Sequence, residues 1–146
     1  MILSYFIVIL MILFIDFIWL YINRSNYNNL VKKIQGSDIQ LNLIGTGLSY
    51  LCVFLALFMF TIPMINNEYE KNKNQSLFLL SVKYGGTLGL IIYGVINATN
   101  IAIFKNYDVK IAIMDTIWGF VLYTFMAYLF IKIDLYIIDK KNNATK

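Results

Sequence analysis

"GGTLGLIIYGVINATNIA", residues 85–102, decides how this chain folds. It belongs to an apolar run over about 77–104, longer than the about 20 residues a helix needs to cross a bilayer. Gly85, Gly89, Tyr93, Asn97 and Asn100 step by 4, 4, 4 and 3, so they form one stripe of that helix. Gly85 and Gly89 make a small-xxx-small pair, which lets a neighbouring helix approach closely. The asparagines of the stripe then face that neighbour and not lipid.

Three further runs, 2–22, 41–65 and 110–138, are also long enough to span. The composition agrees: 60% of the 146 residues are hydrophobic and 14% charged, more apolar surface than one soluble core of this size can hide. The expected fold is all-α, a single transmembrane domain over 1–146 built as a bundle of four spanning helices. The first run lacks a basic start and a small-x-small cleavage site and carries Asp16, so it is expected to stay as a span.

The links are short. "KNYDV", 105–109, is a tight connection that makes the third and fourth helices antiparallel neighbours. "NNEYEKNKNQS", 66–76, reads as a plain solvated loop. In the first loop, Tyr27, Leu30, Val31 and Ile34 follow i, i+3, i+4, i+7 spacing while Lys32 and Lys33 point elsewhere. That pattern predicts a short amphipathic helix at the interface, with an irregular loop as the alternative. Basic residues lie on both faces, and the two ways of counting them give opposite orientations, so the residues leave topology open.

Charge and residue inventory narrow the functions. The net charge is +4, but the lysines sit in loops and at the tail with no dense basic stripe, so they read as membrane-edge charges and nucleic acid is not an expected partner. Lys83, about six residues into its span, reads as snorkelling to the surface, and Lys132 and Asp134 as edge charges. With no histidine, the common zinc and haem sites and the usual general base are missing, so no metal and no cofactor are expected. No nucleophilic serine motif or phosphate loop is present, which leans against an enzyme and leaves no catalytic residue to name. Cys52, the single cysteine, cannot form an internal disulfide and reads as inert packing.

Tracing depth gives the candidate site. Let face A be the side where the first helix starts and face B the other. Asp16, Asn97, Asn100 and Asp115 then fall in one layer on the B half, with Thr46 and Ser49 near the same depth. "DFIW" and "DTIW" place Trp19 and Trp118 three residues after Asp16 and Asp115 on helices running in opposite directions. A charged carboxylate at the centre of a span costs about 2.5–3.5 kcal/mol, so two at one depth need a shared proton, donors or water. Asn97, Asn100, Thr99, Tyr93 and the two indole nitrogens can donate. The expected cluster is therefore Asp16, Trp19, Tyr93, Asn97, Thr99, Asn100, Asp115 and Trp118. Plain alternatives stand beside it: polar glue between helices, tryptophans of the interfacial belt, and Asp115 as a helix-start residue.

These same residues resemble a family of small predicted membrane proteins, domain of unknown function 2177. Its members show a Gly-xxx-Gly-xxx-Tyr approach, then Tyr-Asp-Leu-Thr-Asn, then Asp-x-x-Trp-Gly, with Asp-x-x-Trp-Leu in the first helix. Here Gly85, Gly89 and Tyr93 match the approach, Thr99 and Asn100 the Thr-Asn, Asp115, Trp118 and Gly119 the later motif, and Asp16, Trp19 and Leu20 the first-helix motif. Two departures stand out: Asn97 occupies the place of the family's acid, and "NYDV" replaces its Trp-Pro turn. The resemblance implies a four-helix integral membrane protein and no particular chemistry.

Three functions follow as expectations. The first is a small transporter or channel-like protein, with the acids binding a cation, proton or polar solute, and a homo-oligomer completing the pathway. The second is a lipid-binding factor holding a headgroup or polyprenyl group beneath the interface. The third is a structural or assembly membrane protein whose polar layer is interhelical glue. The lipid bilayer is a partner in all three.

Overall fold

The computed structural model describes residues 2–144, and among them no strand occurs. Helix α1 is Ile2–Ile22, α2 is Arg24–Gln35, α3 is Leu43–Lys71, α4 is Leu77–Ile103 and α5 is Val109–Ala144. Helices α1, α3, α4 and α5 are the four spans, and each is long and apolar enough to cross a membrane. The protein is a multi-pass, all-α membrane bundle.

Helix α2 is the amphipathic helix of the first loop. Leu30 is buried, Tyr27, Val31 and Ile34 are half-buried, and Lys32 and Lys33 are exposed. It ends at Gly36, whose φ of 79° is the left-handed conformation that suits glycine; its N–H bonds Lys32 O at 3.0 Å. Other ends are capped by short polar side chains: Asn42 Oδ1 accepts from Gly45 N at 3.0 Å, and Asp108 Oδ1 from Lys110 N at 2.9 Å. Asp108 therefore does the work at the start of α5, and Asp115 lies well inside that helix.

One expectation needs correction. Residues 66–76 are not a loop throughout: α3 continues to Lys71, and only 72–76 form the link. Nothing in 66–71 breaks a helix, Tyr69 packs on the core, and Glu68 pairs with Lys83 at 3.0 Å while accepting from the Tyr84 hydroxyl. Lys83 is exposed near face A, as a snorkelling lysine would be. Helix α5 is also longer than its apolar run. At 36 residues it measures about 54 Å, against roughly 30 Å of hydrocarbon, so its last turns project from face A.

The core lies on the A half, where Val8 and Ile12 of α1, Leu57 and Ile65 of α3 and Tyr123 and Met126 of α5 are buried together. The tightest seam joins α4 to α5. A methyl at Gly85 would stand 2.7 Å from Tyr123 O, and one at Gly89 would stand 2.2 Å from Gly119 O. The glycine stripe does bring a neighbour close, and the neighbour is α5. On the other side, Gly119 lies under the Tyr93 ring, 2.4 Å from where its own Cβ would be.

Helix α3 divides into two parts. Its first part, Leu43–Leu55, contains no buried residue, whereas Leu57, Thr61, Ile62 and Ile65 beyond it are buried. Between the two, Ala56–Thr61 is a π-helical turn, just before Pro63. The ring of a proline conflicts with the carbonyl four residues back, and a wider turn relieves that conflict. A second π turn, Ser81–Gly86 of α4, lies against the first. The B half of α3 thus stands off from the bundle and leaves a wedge.

Candidate functional site

The wedge ends at the polar layer, and the layer is a hydrogen-bonded network. Asp16, 9% exposed on α1, accepts from Trp118 Nε1 of α5 at 2.8 Å through Oδ1 and from the Tyr50 hydroxyl of α3 at 2.7 Å through Oδ2. Asp115, half-buried on α5, accepts from the Tyr27 hydroxyl of α2 at 2.8 Å through Oδ1 and from Asn97 Nδ2 of α4 at 2.9 Å through Oδ2. All five helices meet here.

The two Asp-x-x-Trp pairs are linked crosswise. The tryptophan of α5 donates to the aspartate of α1. The tryptophan of α1 donates through Nε1 to the Tyr27 hydroxyl at 3.0 Å, which in turn donates to the aspartate of α5. Between the acids the Trp19 and Trp118 rings stack, 4.4 Å apart and 1° from parallel. The tryptophans are neither mere walls nor free belt residues; one feeds an acid directly and the other through a phenol.

Magnitudes explain why the acids are tolerated. A net contribution of about 1.5–3 kcal/mol for each bond to a charged group gives two bonds about 3–6 kcal/mol, which matches or exceeds the insertion cost of a carboxylate. Every donor is neutral. Among the described residues no lysine or arginine forms an ion pair with Asp16 or Asp115. Outside the spans, burial, then the Asp115 charge, hold the Tyr27 phenol above its ordinary value, so it stays protonated and donating.

The expected residues do not all join. Asn97, 2% exposed, is central: besides Asp115 it donates to Tyr93 O at 2.9 Å and accepts from the Tyr107 hydroxyl at 2.9 Å. Asn100 does not reach a carboxylate; its amide meets the Tyr107 hydroxyl at 3.4 Å. Thr99 is exposed, on the side of α4 away from the network. Tyr93 contributes its carbonyl and packs its ring over Gly119. Tyr27, Tyr50 and Tyr107 were not among the expected residues, and they supply three of the bonds.

A cavity of about 760 Å³ opens on this layer, with Asp16, Asp115, Tyr50, Tyr93 and Tyr123 in its lining. Cys52, expected to be inert packing, is exposed and lines this cavity, because the first part of α3 stands away from the core. The Tyr123 hydroxyl donates to Val53 O at 3.2 Å across the wedge and, with Tyr50, props α3 at this distance. Among the described residues no group of three or more His, Cys, Asp or Glu side chains is placed to hold a metal ion. Neither the curated proteins nor the solved structures compared with this chain contain a match. The family of predicted membrane proteins designated DUF2177 matches residues 1–131, and the chain belongs to that family.

Proposed function

We propose that this protein is a small transporter-like membrane protein that binds a cation, proton or polar solute at Asp16 and Asp115. The observation that carries this reading is the pairing of two carboxylates, bonded only to neutral donors, with a cavity of about 760 Å³ that both of them line. Intramembrane acids mark ion and substrate pathways more often than surface acids do. The A half beneath the site is filled by packed side chains, so passage across the membrane requires α3 to move or a homo-oligomer to complete the path.

A second reading is favoured by a specific observation. The same network ties together all five helices, as interhelical glue would. Cation and proton flux in proteoliposomes separates the two, with wild type set beside Asp16→Asn, Asp115→Asn and the double variant, all checked for folding. Flux that falls with each acid supports transport. Unchanged flux and binding, with only stability altered, leaves the network a structural element.

A further inference from the structure

Resting on the reading that Asp16 and Asp115 form a binding site, we infer that its occupant is an amphiphile with a cationic ammonium head and a single apolar chain. The geometry sets three requirements.

The first is charge. Each carboxylate oxygen already accepts one bond, and a carboxylate has about four lone-pair sites, so each acid keeps acceptor capacity toward the cavity. The cavity lining holds two acids and no lysine or arginine. That favours a cation. It disfavours a phospholipid headgroup, whose phosphate would meet two carboxylates with no basic partner.

The second is aromatic. Tyr50 and Tyr93, both half-buried, line the same space. Aromatic faces beside carboxylates recognise alkylated ammonium groups, and the interaction gains strength away from water.

The third is shape. A bare metal ion needs a fraction of 760 Å³, and the rest of the lining, including Val53, Ile92 and Ile96, is apolar. On the other side of Tyr50 a second groove of about 870 Å³ runs between α1 and α3, sharing Leu20, Leu41, Thr46 and Tyr50 with the first. An alkyl chain attached to a bound head lies along these walls toward lipid. Tyr50, whose hydroxyl donates to Asp16, lines both spaces.

The chain offers a convenient readout, since both of its tryptophans are in the network. Protein in a neutral maltoside is titrated with dodecyltrimethylammonium, tetramethylammonium, sodium and dodecyl phosphate while tryptophan fluorescence is followed. The expected result is a saturable change with dodecyltrimethylammonium alone, weakened at least about tenfold in Asp16→Asn or Asp115→Asn. Alkylation of Cys52, in the same lining, provides a measurement on the unaltered chain: dodecyltrimethylammonium should slow it and dodecyl phosphate should not. Acid-dependent binding of sodium or tetramethylammonium as tight as that of the long-chain cation would overturn the amphiphile while leaving the site. Acid-independent responses to every cation, with unprotected Cys52, would remove both.

Discussion

Replacing Gly89 by alanine tests the seam that positions the site. Its added methyl would stand 2.2 Å from Gly119 O, and ordinary contact begins at 3.4 Å, so α4 and α5 must separate locally by 3.4 − 2.2, about 1.2 Å. The obstacle is backbone on a packed helix, so no side-chain rotation relieves it. Asn97 lies eight residues further along the same stripe, about 12 Å up the axis. A separation carried that far stretches its 2.9 Å bond to Asp115 beyond hydrogen-bond reach. Overpacking costs about 1–3 kcal/mol and the lost charged bond about 1.5–3 kcal/mol, together about 2.5–6 kcal/mol. For a chain of this size that lowers the unfolding midpoint by roughly 5–24 °C. Gly94, five residues on, is the control: its methyl would meet only Thr116 Cγ2, at 3.7 Å, and alanine there should be neutral or gain about 0.4–1 kcal/mol. Thermal unfolding in mild detergent, followed by tryptophan fluorescence, reads both variants. Equal losses at the two positions, or no loss at Gly89, would refute the crossing and its link to the polar layer.

Trp118→Phe should cost about 1.5–3 kcal/mol, because it removes a donor from a charged acceptor, whereas Trp19→Phe removes one from a neutral phenol and should cost about 0.5–1.5 kcal/mol; paired denaturation midpoints check the order. Tyr27→Phe should loosen α2, read as faster proteolysis within 24–35. The raised Tyr27 value means the folded state keeps a proton that the unfolded chain loses near pH 10, so wild-type stability should fall as pH rises past 10, and less steeply in the variant. Asn97→Asp exchanges a permanent donor to Asp115 for a second carboxylate and should cost about 1–3 kcal/mol at neutral pH, checked by the same midpoints. Glu68→Gln, at an ion pair whose lysine is exposed, should change the unfolding midpoint only slightly, and less in high salt.

Spans and layer were legible because both rest on period and length. Twenty apolar residues must cross, and steps of four put Gly85, Gly89 and Asn97 on one face; α5 then had to be the partner, since five residues cannot lead elsewhere. The phenols were harder. Tyr27 lay on the apolar stripe of α2, Tyr50 inside an apolar run and Tyr107 in a turn, and a tyrosine in such places reads as packing or interfacial belt until a partner is known. A signal did exist for Tyr50, which follows Ser49 and stands four residues after Thr46, both already at the depth of the acids. The end of α3 was hidden for another reason. Hydropathy falls at Asn66 while helix propensity does not, and the contacts that keep 66–71 folded, Glu68 to Lys83 and Tyr84, cross to another helix.

The crosswise linkage explains why one short pattern occurs on two antiparallel helices. An Asp-x-x-Trp pair puts its two side chains on one helix face, yet neither indole donates to the aspartate of its own helix. Where the two helices meet at one depth, the Trp118 indole donates to the other helix's acid, the Trp19 indole reaches Asp115 through the Tyr27 hydroxyl, and the two rings stack. Helix direction then matters little and depth matters most. Asn97 and Tyr107, the latter from the turn before α5, also touch, hydroxyl to amide oxygen, at 2.9 Å. An acid at 97 would compete with Asp115 for protons. An amide donates to Asp115 at any pH but leaves its oxygen in need of a donor, and Tyr107 provides one. Tyr107 thus completes the hydrogen bonding of Asn97, and the layer holds two carboxylates bonded to neutral donors.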